Sequence, residues 1–257
     1  MPSQDLEPDA RRPARSALAA LALLLGAAAP MPAPGFEVQP LVHELGVAGP
    51  PASTRILVTN PSDRALPVEV AVSRLVFDDS GKQSQTPAEE DFLVFPPAAL
   101  IPPGGRQMIR VQWLGDPEIE TSQSYYATLS QVPVDLPEDE ASGLRFLLAF
   151  NVVLHVSPKG AEPRISVLET RIEQGQDAAP VLVARLANQG RRYGFVGRHV
   201  ISLASGPRRL VLQPEDIRER KLDVFLPPGV TKTIRIPLDD GNWAEPVRLD
   251  LRPEQAD

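Results

Sequence analysis

Apolar residues alternate with polar ones along much of the chain after residue 35, which is the period of a half-buried β-strand. Clear examples, each with Ile or Val at alternate positions, are residues 55–59, 68–73 and 108–113. Turn clusters such as residues 60–63 (Asn-Pro-Ser-Asp) separate these segments. About seven such segments in roughly 120 residues predict an immunoglobulin-like β-sandwich for residues 36–158.

A polar break at residues 159–163 (Lys-Gly-Ala-Glu-Pro) precedes a second set of short apolar segments. These segments predict strands at residues 165–168, 181–186, 199–203, 209–212, 221–225 and 233–236. The pattern therefore predicts an all-β chain with two immunoglobulin-like β-sandwich domains in tandem, the second over residues 159–257.

A weak internal repeat links the two sets of strands. Residues 100–111 and 225–236 share a Pro-Pro-Gly turn that is followed, at the same spacing, by Ile-Arg. Asn60 and Asn188 each end a predicted strand. Pro-Gly turns are common in all-β chains, but the matched spacing favours two related domains.

Proline and charge narrow the possibilities further. The chain of 257 residues has 29 Pro, and each Pro inside a helix removes a hydrogen bond and clashes with the preceding turn, so long helices are excluded. The formal net charge is −7, from 26 Lys and Arg against 33 Asp and Glu. Without a basic block, nucleic acid is not an expected partner. The chain has no Cys, which excludes disulfides and a Cys nucleophile.

Residues 1–35 have the pattern of a signal peptide. Arg residues at positions 11–15 precede an apolar run over residues 17–29, which is shorter than the about 20 residues that span a bilayer core. Residues 33–35 (Ala-Pro-Gly) offer a cleavage site before Phe36. We expect Sec-type export and no membrane insertion of the mature chain.

No pattern for catalysis or metal binding stands out. His43, His155 and His199 lie on separate predicted strands without metal-ligand spacing. Neither G-x-S-x-G nor H-E-x-x-H occurs. The sequence therefore predicts a non-enzymatic protein without a metal or cofactor, whose function depends on a binding surface.

The most informative segment for binding is an apolar one that begins at Leu144. Leu144, Phe146, Leu148 and Phe150 fall on one side of a predicted strand. A strand of this kind is either central to the core or a sheet edge that pairs with another chain by β-augmentation. The pattern alone leaves both interpretations open.

Several motifs resemble the PapD-like periplasmic pilus-assembly chaperones of the chaperone–usher pathway. Residues 95–111 contain Phe-Pro-Pro, Pro-Pro-Gly-Gly and Gln-Met-Ile-Arg-Val, similar to the family's strand–turn–strand signature. Residues 125–133 (Tyr-Tyr through Gln-Val-Pro) resemble its next strand, and residues 144–158 resemble its donor strand. Pro40 and residues 68–74 are closest to the branch associated with spore-coat-U-like pili.

The resemblance implies a chaperone that binds incomplete pilin- or coat-type subunits and delivers them to an outer-membrane usher. By this implication Leu144, Phe146 and Leu148 fill the groove left by the subunit's missing strand, and Phe150 extends the series. The same edge could let free copies of the chain self-associate.

The family also places a basic residue on its first strand and another on its donor strand, and these grip the subunit's C-terminal carboxylate. Alignment on the flanking prolines puts Val42 and Val153 at these positions. This leaves two options. Another basic residue grips the carboxylate instead, with Arg74 and Arg110 as candidates, or the cleft that holds the subunit's C-terminus recognises an apolar group. Single exposed Arg residues are more often simply solvated.

Two other functions fit parts of the pattern. A structural or adhesive envelope protein of two immunoglobulin-like domains would keep residues 144–150 as an internal strand, and no partner would affect its stability. An exported hydrolase is a weaker alternative, because the sequence shows no recognisable nucleophile or metal site.

Overall fold

The computed structural model describes residues 35–78, 81–133, 147–175, 179–239 and 243–254. Strands dominate these residues, and the described part contains one short α-helix. The predicted fold class is confirmed: the chain forms two tandem immunoglobulin-like β-sandwich domains. Leu144, Phe146 and the predicted leader up to residue 34 lie outside the described residues.

The first domain has two sheets around one core. One sheet has the order β1-β3-β8-β6, and the other has the order β2-β10-β9-β4-β5 with β7 beside β4. The strands are β1 (Glu37–Gln39), β2 (Val42–Gly46), β3 (Ser53–Thr59), β4 (Leu66–Phe77), β5 (Gln83–Pro87), β6 (Phe92–Phe95), β7 (Ala98–Ile101), β8 (Arg106–Trp113), β9 (Gln123–Gln131) and β10 (Ala149–Ser157).

The apolar residues at alternate strand positions form the core of the first domain, as the sequence pattern predicts. Ile56 on β3 lies opposite Ile109 on β8, and both are fully buried. The rings of Phe92, Trp113 and Tyr125 contact one another at centroid distances of 4.9 to 5.6 Å. Burying each such side chain contributes about 1.5–3 kcal/mol.

The first strand changes sheets at Pro40. β1 pairs with β3 up to Gln39, and the chain then joins the opposite sheet, where β2 runs parallel to β10. Proline cannot donate to a ladder, so it suits this crossing point. The crossing leaves the first residues of β3 without β1 as a neighbour.

The second domain has a separate core. Its strands form the sheets β11-β12-β17, β15-β14-β18 and β13-β16. The elements are β11 (Ile165–Gln174), β12 (Pro180–Asn188), β13 (Gly194–Phe195), β14 (His199–Ser205), β15 (Arg208–Leu212), α1 (Pro214–Glu219), β16 (Phe225–Leu226), β17 (Thr231–Pro237) and β18 (Arg248–Pro253). The predicted boundary after residue 158 falls in the connection between β10 and β11.

Two strand predictions need correction. The strand predicted at 221–225 is wrong, because α1 precedes it, Lys221 has a φ of 56° and only Phe225–Leu226 is extended. The helix has its own signals: Pro214 begins it, and the Asp216 carboxylate accepts a 2.8 Å hydrogen bond from the Gln213 N–H. The described part of the strand predicted at 144–156 is extended only from Ala149.

The strand Gln83–Pro87 has no counterpart in the sequence prediction. Its residues are polar or Pro, and all five are exposed. Apolar alternation arises where one face of a strand is buried, so an edge strand exposed on both faces carries no such signal.

The predicted internal repeat is present in the structure. The Asn60 side-chain N–H₂ donates to the carbonyls of Arg64 (2.7 Å) and Ile101 (3.0 Å). The Asn188 N–H₂ donates to the carbonyls of Arg192 (2.7 Å) and Leu226 (2.9 Å). In each domain an Asn at the end of a strand therefore ties its own turn to the residues just before a Pro-Pro-Gly turn.

Candidate functional site

The apolar strand predicted to bind a partner lies beside an open edge. β10 pairs with β9 along Ala149–Val156, but its other neighbour, β2, covers only Val153–Ser157. No described strand pairs with the β2-facing side of Ala149–Val152. Backbone N–H and C=O groups on such an edge are available to a further strand.

The two described members of the predicted donor series face inward. Leu148 and Phe150 are partly buried and pack against the first core. The Phe150 ring meets the Phe36 ring edge-on at a centroid distance of 4.8 Å. Leu147, on the opposite side of the chain, is 57% exposed. Phe150 is thus already engaged within its own domain, while Leu144 and Phe146 fall on undescribed positions.

The two positions that the resemblance assigned to basic residues are neighbours in space. Val42 on β2 lies directly opposite Val153 on β10. Val42 is 54% exposed, and Leu41 beside it is 48% exposed. An exposed valine, Val42, and a half-buried one, Val153, therefore occupy the two positions where cations were implied.

Arg74 and Arg110, the candidate substitutes, lie on different sheets of the first domain. Arg74 is on β4, opposite Tyr125 of β9, whereas Arg110 is on β8, opposite Arg55 of β3. The structure therefore does not bring these two side chains together. Arg110 also lines a depression that includes Pro40 and His43, the residues around the start of β2.

The scan against protein-family models matches residues 45–162 to the pili and flagellar-assembly chaperones, PapD N-terminal domain. This range contains the open edge of β10 and most of the first core. The first domain belongs to this family.

Solved structures of fimbrial chaperones share the fold beyond this PapD N-terminal domain. A chain of the chaperone–tip adhesin complex of CFA/I fimbriae biogenesis is 14% identical, with a TM-score of 0.54 over 87% of this chain and 94% of that one. The class 5 fimbriae chaperone CfaA is 13% identical, with a TM-score of 0.53 over 85% and 99%. The CsuC–CsuE chaperone–tip subunit complex from Acinetobacter baumannii matches at 15% identity, with a TM-score of 0.52 over 84% and 96%.

The comparison with curated protein sequences finds no match. At 13 to 15% identity, the structural similarity establishes the fold of the fimbrial chaperones for this chain.

An aromatic cluster joins the PapD-type domain to the second domain, and no sequence pattern predicts it. The His155 ring of β10 stacks on Tyr193 at 3.9 Å, and Phe225 lies 5.5 Å from His155. Ser124 Oγ lies 2.8 Å from His155 Nδ1. Burial, reinforced by the charges of two nearby Arg residues, lowers the pKa of His155 to about 4. The ring is therefore neutral at pH 7.

Polar contacts surround this cluster. The Tyr193 N–H donates to Ser122 Oγ at 2.8 Å, and the Ser122 N–H donates to the Arg191 carbonyl at 2.8 Å. Arg192 forms a 3.0 Å ion pair with Glu44 of β2. No signal in the sequence pairs these positions, because contacts between domains leave no local periodicity.

The other two histidines have separate structural surroundings. His43 Nδ1 lies 2.7 Å from Thr54 Oγ1, and His199 Nδ1 lies 3.0 Å from the Phe195 carbonyl. Within the described ranges, no group of three His, Cys, Asp or Glu side chains is placed to hold a metal ion. The same ranges include no helix long and apolar enough to cross a membrane.

Proposed function

We propose that this protein is a periplasmic chaperone that binds pilus or coat-type subunits by donor-strand complementation and passes them to an outer-membrane usher. The observation that carries the proposal is the open edge of β10 at Ala149–Val152, within a domain of the pilus-assembly chaperone family. The fold shared with fimbrial chaperones, some solved in complexes with tip subunits, supports the same function.

In this proposal the residues before β10 supply the side chains for the subunit's groove. Leu144, Phe146 and Leu148 fill it, because the sequence alternation puts them on one side of the predicted donor strand. Leu148 and Phe150 contribute less than the other two, since both already pack against the core of their own domain. Burying three such side chains contributes very roughly 5–9 kcal/mol, which would anchor a subunit without a cofactor or a nucleotide.

The proposed cleft has an apolar element. Val42 and Val153 lie side by side at the family's basic positions, so we infer that the subunit end held there contributes an apolar group. Of the two candidate basic residues, Arg110 is the better substitute, because it lines a depression with Pro40 and His43 near the start of β2.

The test is co-expression of the chain with pilin-like subunits encoded beside its gene, followed by purification from the periplasm. We expect a subunit to co-purify with the wild type and to be lost with Phe146→Asp, because a carboxylate cannot enter an apolar groove. Leu147→Asp is the matched control: it adds the same charge one residue away, on the opposite side of the strand.

Retention of the subunit by both variants, or its absence from the wild type, would contradict donor-strand binding. Either result would favour the structural or adhesive envelope protein. Recovery of the chain outside the periplasmic fraction would contradict the proposed location.

A further inference from the structure

The outer face of the β1-β3-β8-β6 sheet carries two cations directly opposite each other. Arg55 on β3 and Arg110 on β8 are register partners, and both are exposed. Residues so paired have Cβ atoms about 4.5–5.5 Å apart, and like charges in this position destabilise a sheet. The pair therefore has an electrostatic cost that the fold does not explain.

No acidic side chain offsets this charge within the described residues. None of the ion pairs in the described residues includes Arg55 or Arg110, although the whole chain has a net charge of −7. The neighbours of the pair on the same face are uncharged; by strand register they are Ser53, Leu57, Phe95, Met108 and Gln112. Any partner that neutralises the two guanidinium groups therefore comes from solvent or from outside this part of the chain.

One arginine of the pair is held in place, and the other is available. Arg110 Nε donates to Ser53 Oγ at 3.2 Å, and its Nη2 donates to Gln112 Oε1 at 2.9 Å. Arg55 donates to no side chain or carbonyl of the described residues. A positioned guanidinium beside an unoccupied one can enclose a group that accepts from both.

The pair borders an open depression of about 660 Å³. Ser53, Thr54 and His43 also line it. His43 is 9% exposed, and its Nε2 has no hydrogen-bond partner among the described residues. The depression thus combines two cations with the Ser53 hydroxyl at its edge, groups that can donate to a negatively charged oxygen, whereas the His43 ring is buried and bonded to Thr54.

We propose that Arg55 and Arg110 form a binding site for an oxyanion, a carboxylate or a phosphate group. A bound oxyanion removes the cross-strand repulsion and accepts charge-assisted hydrogen bonds from both guanidinium groups. The site lies on the sheet that does not contain β10. Phosphate binding there can therefore be tested apart from donor-strand pairing, whereas binding of a chain terminus rests on the proposed function, in which Arg110 is the substitute that grips the subunit's carboxylate.

The test uses the mature chain labelled with ¹⁵N, titrated with sodium phosphate at constant ionic strength maintained with sodium chloride. We expect saturable shifts of the amide signals of β3 and β8, and at least tenfold weaker binding by Arg55→Gln and by Arg110→Gln. Arg106→Gln is the matched control, because Arg106 is also exposed on β8 but faces Thr59. It should bind within twofold of the wild type.

A second arm identifies the source of the oxyanion. A short peptide with a free C-terminal carboxylate is compared with the same peptide amidated at its C-terminus. Saturation by the free-acid peptide alone assigns the site to a chain terminus, and saturation by phosphate alone assigns it to phosphate. If neither probe saturates, or if Arg106→Gln loses as much affinity as Arg55→Gln, the proposal is overturned.

Arg55→Gln also keeps the test independent of folding defects, because it removes no hydrogen bond within the described residues. In buffer free of oxyanions this variant should unfold at a higher temperature than the wild type, since it removes the repulsion. A lower unfolding temperature would contradict the cross-strand repulsion on which the site rests.

Discussion

Each domain has an asparagine, Asn60 or Asn188, whose side chain ties its own turn to the residues before the Pro-Pro-Gly turn. We call each set of hydrogen bonds a brace, and the two braces make different further contacts. In the first domain Asn60 Oδ1 accepts hydrogen bonds from Ser62 N–H (3.1 Å) and Ser62 Oγ (2.6 Å). This oxygen therefore organises only the turn that contains Asn60. In the second domain Asn188 Oδ1 accepts from Gly190 N–H (2.9 Å) and from Arg164 N–H (3.0 Å). Arg164 lies in the connection from the first domain, so the second brace also fixes that connection.

The loop after Asn188 extends this difference. Its residues Arg191, Arg192 and Tyr193 all contact the first domain, through Ser122, Glu44 and the aromatic cluster. The repeated turn therefore keeps the same hydrogen bonds to backbone carbonyls in both copies. In the second copy, residues of the following loop also form the contact between the domains.

We expect the largest loss of stability when either asparagine is replaced by Ala, which removes the hydrogen bonds of one brace. Asn188→Ala removes four hydrogen bonds to backbone groups from a fully buried site. We expect it to lower the free energy of unfolding by roughly 3–4 kcal/mol, because buried carbonyls and N–H groups lose their partners. Asn60→Ala should cost a similar amount but should affect the first domain alone.

Urea denaturation checks this prediction with fluorescence that reports on one domain. The chain has two Trp residues: Trp113 lies in the first core and Trp243 packs on the second. In a Trp243→Phe background, Trp113 reports the first domain only. Asn60→Ala should shift this transition more than Asn188→Ala does; equal shifts would show that the braces do not act within separate domains.

The sequence predicted the repeat and an Asn at the end of a strand in each copy, but not the hydrogen bonds that these two residues form. Strand alternation, the Pro-Pro-Gly turns and the terminal Asn residues are local features, so the fold class and the repeat could be predicted from them. The open edge of β10 was predicted only as one of two alternatives, because an edge and a core strand share the same apolar pattern. The Arg55–Arg110 pair depends on strand register, which pattern alone does not fix.

The aromatic cluster makes the contact between domains sensitive to pH. The neutral His155 ring has a pKa of about 4 in the folded protein, whereas in the unfolded chain it takes up a proton near pH 6.5. The stability that the neutral His155 ring contributes to the folded protein is therefore complete above pH 6.5, and it is lost as the pH falls towards 4. The difference between the two pKa values corresponds to roughly 3 kcal/mol.

This prediction is checked by urea denaturation of wild type and His155→Phe at pH 7 and pH 4.5. The Phe ring can keep the stack on Tyr193 but cannot titrate, so the loss of stability at acid pH should shrink by about 2–3 kcal/mol. Burial also lowers the pKa of His43 and His199, so part of the acid sensitivity should remain. An unchanged loss in His155→Phe would rule out His155 as its main source.

The smallest expected effect concerns the ion pair at the rim of the same contact. Glu44 and Arg192 lie 3.0 Å apart, but their side chains are 43% and 37% exposed. Water screens such a pair, so its coupling energy should be about 0.5 kcal/mol and should fall further in high salt. The coupling energy is measured by a double-mutant cycle of Glu44→Gln and Arg192→Gln, from the free energies of unfolding. A single variant would not isolate it, because Arg192 also lies 5.5 Å from the centroid of the Tyr193 ring. A coupling above about 2 kcal/mol would mean that this ion pair, rather than the buried rings, is the principal link between the domains.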